Sequence, residues 1–453
     1  TGFSARAERW QCNPTGTMDV CWNAGIPPQV ERLPMSYFPG FRPPSFTVVL
    51  LTVLILVPAE SEGGEVSLVD GVPHVMNPAQ PPGGVQTVEL EELWRAGGED
   101  DDVFFGLIGK VCSDEQANVY ILDSQVCQVY MYSPDGILLR TLFGEGDGPG
   151  EVRRPRNMAL LGDGTVGVIQ EFPGRMVRVN TKNEPAPSVD LMKGGTEGAI
   201  ALDGCFAGGP TLLFSGVRIQ QAVQGVQERE TFLSTFSLDG TEKARLVSRQ
   251  GKRDFNKFVF VEKNEMPGFY WSNCVGPDGR IYTAPRRDEY AVEVYSPEGK
   301  LERVIKREYE HLRRSSTEYK RLKDLLESIF SAVPFEYSIE IEDDEYDILA
   351  MQRGIRLRPD GSLWILPGRG AYEQEDGVIA TFDVFDPEGH FQRQVAIKGG
   401  HDGIWDGLFF VGDDRLVVVT RQVEAIGAQY GDGAAALSGE GGSAMEVICY
   451  RMR

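Results

Sequence analysis

The sequence predicts an all-β fold: a six-bladed β-propeller of four-stranded antiparallel blades, with a helical insertion between blades four and five. A short unit, consisting of a tight polar turn and then an apolar strand, occurs six times. Successive units are 46 to 82 residues apart, and a four-stranded blade needs about 40–50 residues. The six units occupy 117–122, 163–168, 209–214, 277–282, 359–364 and 412–417.

The first blade shows the full predicted pattern of four strands. Its third strand ends in the turn Ser133-Pro134-Asp135-Gly136, where proline presets φ and glycine takes the positive φ of the turn. Such strands cannot bury themselves alone, but stacking blades in a closed ring buries both faces and protects the edges. The strands are predicted at 107–112, 119–122, 128–132 and 137–143, and the third-strand turn signal recurs at 235–240, 294–299 and 384–389.

The last predicted blade lacks an outer strand. Residues 86–94 alternate between apolar and polar side chains, which is the pattern of a half-buried strand. We therefore expect this N-terminal strand to complete blade six, so that the propeller covers 85–453 and residues 60–84 form an extended lead-in. Deletion of 85–95 should then destabilise the whole ring.

A helix is predicted inside an insertion at 306–335. Ser315 and Ser316 offer an N-cap and Glu318 an acidic first turn, both of which favour a helix start. The acidic run that follows, 340–345, lacks the glycine-bearing loop of an EF-hand and is expected to be solvated surface. Six apolar residues fall on one face of the helix: Tyr319, Leu322, Leu325, Leu326, Ile329 and Phe330.

The segment before the propeller predicts export. Residues 46–57 are mostly apolar, too few to span a bilayer, with Arg42 before them and Val57-Pro58-Ala59 after them. This is the pattern of a secretory signal peptide. We expect a start at Met35, a mature chain from Glu60 without a membrane span, and a periplasmic or secreted location, with 1–59 an upstream extension and signal.

Charge and cysteine content limit the partners and the covalent framework. A net charge of −22 argues against binding nucleic acid or anionic membranes, since both need a basic surface. Five cysteines in 60–453 are too few for a disulfide framework. Cys112, Cys205 and Cys274 each precede a repeated strand by the same distance and are expected to be small buried residues, although a Cys205–Cys274 bridge stays open.

A glycine-rich segment supports a family resemblance. Residues 144–152, Gly-Glu-Gly-Asp-Gly-Pro-Gly-Glu-Val, with Pro155 downstream, look like the inter-blade signature of NHL-type propellers. The wider pattern over about 100–453 resembles the bacterial secreted six-bladed β-propeller family related to NHL repeats. The resemblance implies a periplasmic or secreted propeller, usually of unassigned function. We expect the motif itself to be structural, with glycines at positive φ and Glu151 capping local amides.

Candidate ligand-binding residues come from the loops after each second strand, where propeller ligands generally sit. These loops carry acids in the first two units and arginines in the last three. If they converge, they form a polar pocket with opposite charges on opposite sides, suited to a zwitterion, a sugar acid or a peptide. The candidates are Asp123, Glu171, Arg286, Arg287, Asp288, Arg369 and Arg421.

These observations favour an exported binding scaffold for a protein, peptide or glycan, with no cofactor. The alternative is a metal-dependent lactonase-like or lyase-like enzyme with a site at the central channel. The four histidines occupy no equivalent blade positions, so a zinc site built from histidine is not expected. A Ca²⁺ site using Asp123, Glu171 or Asn273 stays open, and so does the oligomeric state.

Overall fold

The structure is a computed structural model that describes residues 64–98, 103–192, 198–220, 224–331, 333–350, 354–430 and 445–453. The predicted start at Met35, the signal peptide and the cleavage site before Glu60 lie outside the described residues. β-strands dominate the described part, and most of them form antiparallel sheets. No helix in these ranges is long and apolar enough to cross a membrane.

Three strands come first in the chain, and three four-stranded sheets follow them. Each of these sheets is hydrogen-bonded in chain order. The first strands are β1 (Glu65–Val69), β2 (Val72–Asn77) and β3 (Val85–Gly97). The first sheet is β4 (Ile108–Ser113), β5 (Val119–Asp123), β6 (Gln128–Tyr132) and β7 (Leu138–Leu142). The second is β8 (Pro155–Leu160), β9 (Thr165–Gln170), β10 (Arg175–Asn180) and β11 (Pro185–Asp190). The third is β12 (Ala199–Gly208), β13 (Thr211–Ile219), β14 (Val226–Phe236) and β15 (Glu242–Asp254).

The fourth sheet is enlarged by the lead-in. β2 pairs in parallel with the outer strand β20, with His74 opposite Val304, and β1 pairs antiparallel with β2. The lead-in therefore contributes two strands of regular sheet, which its composition did not predict. The sheet's own strands are β17 (Asn273–Val275), β18 (Ile281–Thr283), β19 (Ala291–Tyr295) and β20 (Leu301–Arg307).

Short elements lie between the third and fifth groups of strands. Helix α2 (Ser316–Phe330) follows Ser315, whose hydroxyl accepts from the amide of Glu318 at 3.1 Å. α2 buries Leu325 and Leu326; Leu326 packs in a cluster with Phe258 and Phe260. The other short elements are β16 (Phe258–Val261), α1 (Glu262–Glu265), a 3-10 turn at Gly268–Tyr270 and β21 (Tyr337–Glu340), which pairs in parallel with β16.

The remaining strands form one eight-stranded sheet through β3. Residues 85–89 of β3 pair in parallel with β25, and residues 90–97 pair antiparallel with β28. β3, the strand predicted at 86–94, is thus hydrogen-bonded to β28, the C-terminal strand. The elements are β22 (Ile355–Leu357), β23 (Leu363–Ile365), α3 (Gly368–Tyr372), β24 (Val378–Phe385), β25 (Phe391–Lys398), β26 (Gly407–Val411), β27 (Arg415–Val419), α4 (Gln422–Tyr430) and β28 (Glu446–Met452).

The first strands of successive sheets contact one another. β4 contacts β8, β8 contacts β12, β12 contacts β17, β17 contacts β22, and β26 contacts β4. Apolar clusters fill the spaces between neighbouring sheets: Leu122 and Met158 share one cluster, and Ile108 and Val447 share another. This packing buries both faces of the sheets, and it brings the first strands together around a common centre.

The glycine-rich segment 144–152 has the structural role expected of it. Gly150 has a φ of +80°, a conformation in which residues with a Cβ are strained. The carboxylate of Glu151 accepts from the amide of Gly148 at 2.8 Å. The segment delivers the chain from β7 to the start of β8, which places Arg154 and Arg156 beside the centre of the fold.

No disulfide joins the five cysteines of the described residues. Cys112, Cys205 and Cys274 lie on the first strands β4, β12 and β17. Burial raises the pKa of the Cys274 thiol to about 12, which keeps it protonated. Cys205 is buried as expected, whereas Cys112 and Cys274 are only partly buried by their exposed area, and the Cys205–Cys274 bridge left open by the sequence is absent.

Candidate functional site

A cavity of about 570 Å³ lies where the first strands meet. Its walls come from β4, β8, β12, β22 and β26, from the loops beside them, and from α4. We call it the central cavity. Its lining residues are Leu107, Gly109, Ser124, Arg154, Pro155, Arg156, Asn157, Glu171, Phe172, Ala201, Asp203, Trp271, Arg356, Leu408, Phe409, Gln422 and Ile426.

Arg156 pairs with carboxylates from two different segments of the wall. Its Nη2 donates to Oδ1 of Asp203 at 3.2 Å, and its Nε lies 3.9 Å from the Glu171 carboxylate. The Arg156 and Asp203 side chains are 29% and 20% exposed, so solvent screens this pair only partly. The ion pair links β8 to β12, and it places one positive and one negative group side by side in the cavity wall.

Two further arginines line the central cavity. Arg154 is exposed and precedes β8; no ion pair engages it among the described residues. Arg356 lies on β22, and its Nη2 donates to the carbonyl oxygen of Leu408 at 3.3 Å. The wall thus carries three guanidinium groups and two carboxylates, the latter from Glu171 and Asp203.

Asp203 has unused hydrogen-bonding capacity. Its Oδ1 accepts from Arg156, whereas its Oδ2 is buried and has no hydrogen-bond partner within the described ranges. A buried carboxylate oxygen without a donor is costly, because it has lost the hydrogen bonds that water provided. The Asp203 side chain as a whole is 20% exposed, so part of it is accessible at the cavity lining.

Aromatic side chains supply the apolar part of the wall. Phe172 is 50% exposed, Trp271 is half-buried, and Phe409 on β26 is buried. Exposed aromatic faces in a cavity provide large flat contact areas for a ligand. The cavity therefore combines cations, carboxylates and aromatic surfaces.

The seven candidates from the sequence are dispersed. Of these seven, all of them described, only Glu171 lines the central cavity. Asp123 is fully buried, and its carboxylate accepts from the amides of Gly106 at 2.7 Å and Leu107 at 3.1 Å. That carboxylate stabilises the backbone before β4, while the neighbouring Ser124 reaches the cavity wall.

Arg286, Arg287 and Asp288 lie in the loop between β18 and β19, away from the cavity lining. Arg286 donates to Glu293 at 2.8 Å, and Asp288 lies 3.5 Å from the ammonium of Lys263. Arg287 is buried and donates to Glu262 at 2.7 Å. These pairings are local.

Arg369 and Arg421 also make local ion pairs. Arg369 is the second residue of α3 and donates to Glu373 at 2.6 Å. Arg421 donates through Nε to Glu424 at 2.7 Å, and the next residue, Gln422, reaches the central cavity. The loops after the second strands therefore do reach the central cavity, but mostly through residues next to the predicted ones: Ser124, Phe172 and Gln422.

Sequence reasoning missed most of the charged wall. Arg154 and Trp271 precede first strands, and Arg156, Asp203 and Arg356 lie on them. One signal was available in the sequence. At the position seven residues before each repeated strand, three units carry cysteine and another carries Arg356. Arg356 is charged, whereas the other units carry small or apolar residues at this position. This difference was a signal that first strands contribute to the site.

The described residues contain no group of three histidine, cysteine, aspartate or glutamate side chains placed to hold a metal ion. The amide nitrogen of Asn273 donates to the carbonyl of Phe269 at 2.5 Å, and Asp123 is engaged by backbone amides. Of the residues considered for Ca²⁺, Glu171 is the one at the central cavity.

A second charged cluster lies under α2. Glu262, Arg314, Arg287 and Glu345 are all buried to at least 90% as side chains. Burial raises the pKa of the Glu262 carboxyl, but Arg314 and Arg287 outweigh it and hold the pKa below its usual range. Glu345 belongs to the acidic run expected to be solvated surface, so that expectation is wrong for this residue: it is 4% exposed and pairs with Arg314 at 2.7 Å.

No family model and no curated protein matches the sequence, but solved structures resemble the fold. A putative exported protein from Bacteroides fragilis is 11% identical with a TM-score of 0.46, covering 83% of this chain and 99% of that chain. A gluconolactonase from Xanthomonas campestris is 10% identical with a TM-score of 0.40, covering 83% and 91%. A streptogramin B lyase is 12% identical with a TM-score of 0.37, covering 73% and 80%. All three TM-scores are below 0.5, and likeness at this level carries nothing about activity.

Proposed function

We propose that this chain is an exported, NHL-like six-bladed β-propeller that binds a glycan, peptide or protein ligand at the mouth of its central channel. The first five blades are the sheets that begin with β4, β8, β12, β17 and β22. The sixth combines β26, β27 and β28 with the second half of β3. The segment containing α2 is then an insertion between blades four and five.

The ring is supported by the order of contacts among first strands. Five contacts, from β4–β8 to β26–β4, follow the chain around the centre, and these are five of the six neighbour contacts of a closed six-bladed propeller. The antiparallel half of β3 pairs with the C-terminal strand β28, so that two distant parts of the chain share one blade.

The single observation that carries the binding function is the central cavity. Its volume of about 570 Å³ is in the usual range for small-ligand sites, about 300–1,000 Å³. Residues from widely separated parts of the chain converge there, and they combine charge with aromatic surface. A cavity of this size fits two or three residues of a glycan or peptide chain.

The enzyme alternative has less support from the site. A metal-dependent lactonase or lyase needs converging carboxylate, asparagine or histidine ligands. The described residues offer no group of three such acidic, histidine or cysteine side chains. We therefore favour binding without chemistry.

A ligand screen with a matched pair of variants tests this function. The protein purified after export is titrated with an oligosaccharide panel and a tripeptide panel, and binding is read by calorimetry. Phe172→Ala should weaken binding of any hit, because Phe172 lines the cavity. Phe104→Ala is the control, since Phe104 is 68% exposed and outside the cavity lining. If Phe172→Ala and Phe104→Ala bind every ligand found in the screen with equal affinity, the central cavity is not the binding site.

Export is tested separately. The expected mature N-terminus at Glu60 is checked by mass spectrometry of the protein from the culture medium and from the periplasm. An intact N-terminal segment in a cytoplasmic fraction would contradict the proposed location.

A further inference from the structure

We propose that the ligand of the central cavity is a saccharide containing a uronic acid. Its carboxylate binds Arg154, and one of its hydroxyls donates to the carboxylate of Asp203. This inference rests on the proposed binding function and specifies the ligand class. Three observations carry it: the excess of positive charge in the wall, the partly exposed side chain of Asp203, and the aromatic side chains that line the same cavity.

The charge of the cavity wall is opposite to the charge of the protein. The chain has a net charge of −22, yet the cavity lining carries three arginines against two carboxylates. A concave site with low-dielectric walls concentrates the field of its own charges. The net positive charge of the cavity lining therefore favours an anionic ligand there, although the protein as a whole repels anions.

Arg154 is the guanidinium placed to bind that anion. Arg156 is already paired with Asp203 at 3.2 Å and lies 3.9 Å from Glu171. Arg154 is exposed at the same wall, and within the described ranges it has no ion pair. An arginine binds a carboxylate through two parallel hydrogen bonds, with geometry that a lysine does not reproduce.

Asp203 provides an acceptor beside that cation. Its side chain is 20% exposed at the cavity lining, and its Oδ1 accepts from Arg156. A ligand that carried only carboxylates would be repelled by this carboxylate. A uronic acid offers hydroxyl donors beside its carboxylate on a rigid ring, so that one residue can satisfy both Arg154 and Asp203.

The aromatic side chains favour a sugar ring over an extended peptide. Phe172 and Trp271 line the same cavity, and Phe172 is 50% exposed. A pyranose has an apolar face of C–H groups and an edge of hydroxyls. It can pack one face on an aromatic ring while its edge meets charged groups. A peptide carboxyl terminus would satisfy Arg154 but offers few donors for Asp203.

Calorimetric titration with defined trisaccharides tests the ligand class. The probes are trigalacturonate and trimannuronate; the comparators are neutral galactotriose and the tripeptide Gly-Gly-Asp. We expect at least one uronate to bind about tenfold or more tightly than the neutral sugar and the peptide. Raised salt should weaken uronate binding, because the contact is partly exposed.

Two adjacent arginines give a matched control for the site. Arg154→Gln should lower uronate affinity by about tenfold or more. Arg153→Gln should leave it unchanged, since Arg153 pairs with Asp147 at 3.0 Å and is outside the cavity lining. Asp203→Asn should also weaken uronate binding, and Arg154→Lys should restore only part of the affinity lost in Arg154→Gln. Thermal melts check that each variant is folded.

The outcomes separate the ligand class from the binding function. If galactotriose binds as tightly as both uronates and Phe172→Ala weakens it, the cavity binds glycans and the uronate proposal is wrong. Preferential binding of Gly-Gly-Asp, sensitive to Arg154→Gln, would also overturn the uronate proposal and make the site a peptide site. If neither uronate binds at millimolar concentration, the uronate proposal fails, and if the full oligosaccharide and tripeptide panels also fail, so does the binding function.

Discussion

The guanidinium of Arg314 donates to the carboxylate of Glu262 from both of its terminal nitrogens, each at 3.0 Å. The two residues are 52 positions apart in the chain. Glu262 begins α1, and Arg314 immediately precedes the N-cap of α2. The same guanidinium donates through Nε to Glu345 at 2.7 Å. One buried arginine therefore joins α1, the start of α2 and the end of the acidic run.

Replacement of this arginine should be strongly destabilising. Arg314→Met leaves Glu262 and Glu345 buried with one fewer positive charge, and breaking a buried pair in this way costs about 3–5 kcal/mol. We expect urea-induced unfolding, followed by tryptophan fluorescence, to show a loss of this size in the free energy of unfolding.

The neighbouring residue provides the control. The side chain of Arg313 is 84% exposed, and its distance to Asp344 is 3.8 Å. Arg313→Met should change the free energy of unfolding by less than about 0.5 kcal/mol. Equal effects of the two variants would show that the buried cluster does not stabilise the fold.

His311 and Asp347 should make stability fall as pH rises. The hydrogen bond from the imidazole Nδ1 to the carboxylate of Asp347, at 2.8 Å, raises the pKa of His311, and the nearby Asp344 and Asp288 add to this effect. Its stabilisation is fully present below the unfolded pKa of about 6.5 and is lost as pH rises through the higher folded pKa. Burial also raises the pKa of Asp347; ionisation of this carboxyl costs stability in the same direction, at lower pH, above about 4.

Comparison of His311→Gln with the unmodified protein isolates this contribution. The imidazole is 57% exposed, so we expect less than about 1 kcal/mol. The melting temperature of the unmodified protein should exceed that of the variant at about pH 5.5, and the difference should shrink as pH rises above the unfolded pKa of about 6.5. A difference that is constant, or that grows with pH, would contradict the ion pair.

Local sequence chemistry predicts much of the strand pattern of this chain. The strand predicted at 128–132 matches β6, Gln128–Tyr132, because alternation and a Pro-Asp-Gly turn are short-range signals. The pairing of β2 with β20 joins residues about 230 positions apart, such as His74 and Val304. No local pattern specifies such a partner.

The site was less predictable than the strands, for a physical reason. The loops after second strands were the expected site, but the cavity wall also includes the segments that enter first strands, such as Arg154 and Trp271. Whether a given side chain faces the cavity depends on the twist and bulges of its strand, such as the register shift between Pro155 and Asn157. The sequence does not show these features.

Trp94 on β3 should be essential for stability. Its ring stacks on Tyr132 of β6, with centroids 5.6 Å apart and planes inclined by 15°, and its Nε1 donates to the carbonyl oxygen of Pro134 at 3.2 Å. Gly136, at a φ of +80°, approaches the same indole so closely that a Cβ there would lie 2.5 Å from it. The side chain of Trp94 therefore joins β3 to the first sheet through a ring contact, a hydrogen bond and close packing on Gly136.

Trp94→Ala removes both the stacking and the hydrogen bond, and truncation of a buried tryptophan costs about 3–5 kcal/mol. Trp94→Phe keeps an aromatic ring and loses the hydrogen bond, so the cost of that lost bond should be about 1 kcal/mol. Val85→Ala is the control on the same strand, because Val85 is 59% exposed, and it should change the free energy of unfolding by less than about 0.5 kcal/mol. Thermal and urea unfolding measure all three variants. If Trp94→Ala unfolds at the same midpoint as Val85→Ala, the contacts of Trp94 with the first sheet do not stabilise the fold.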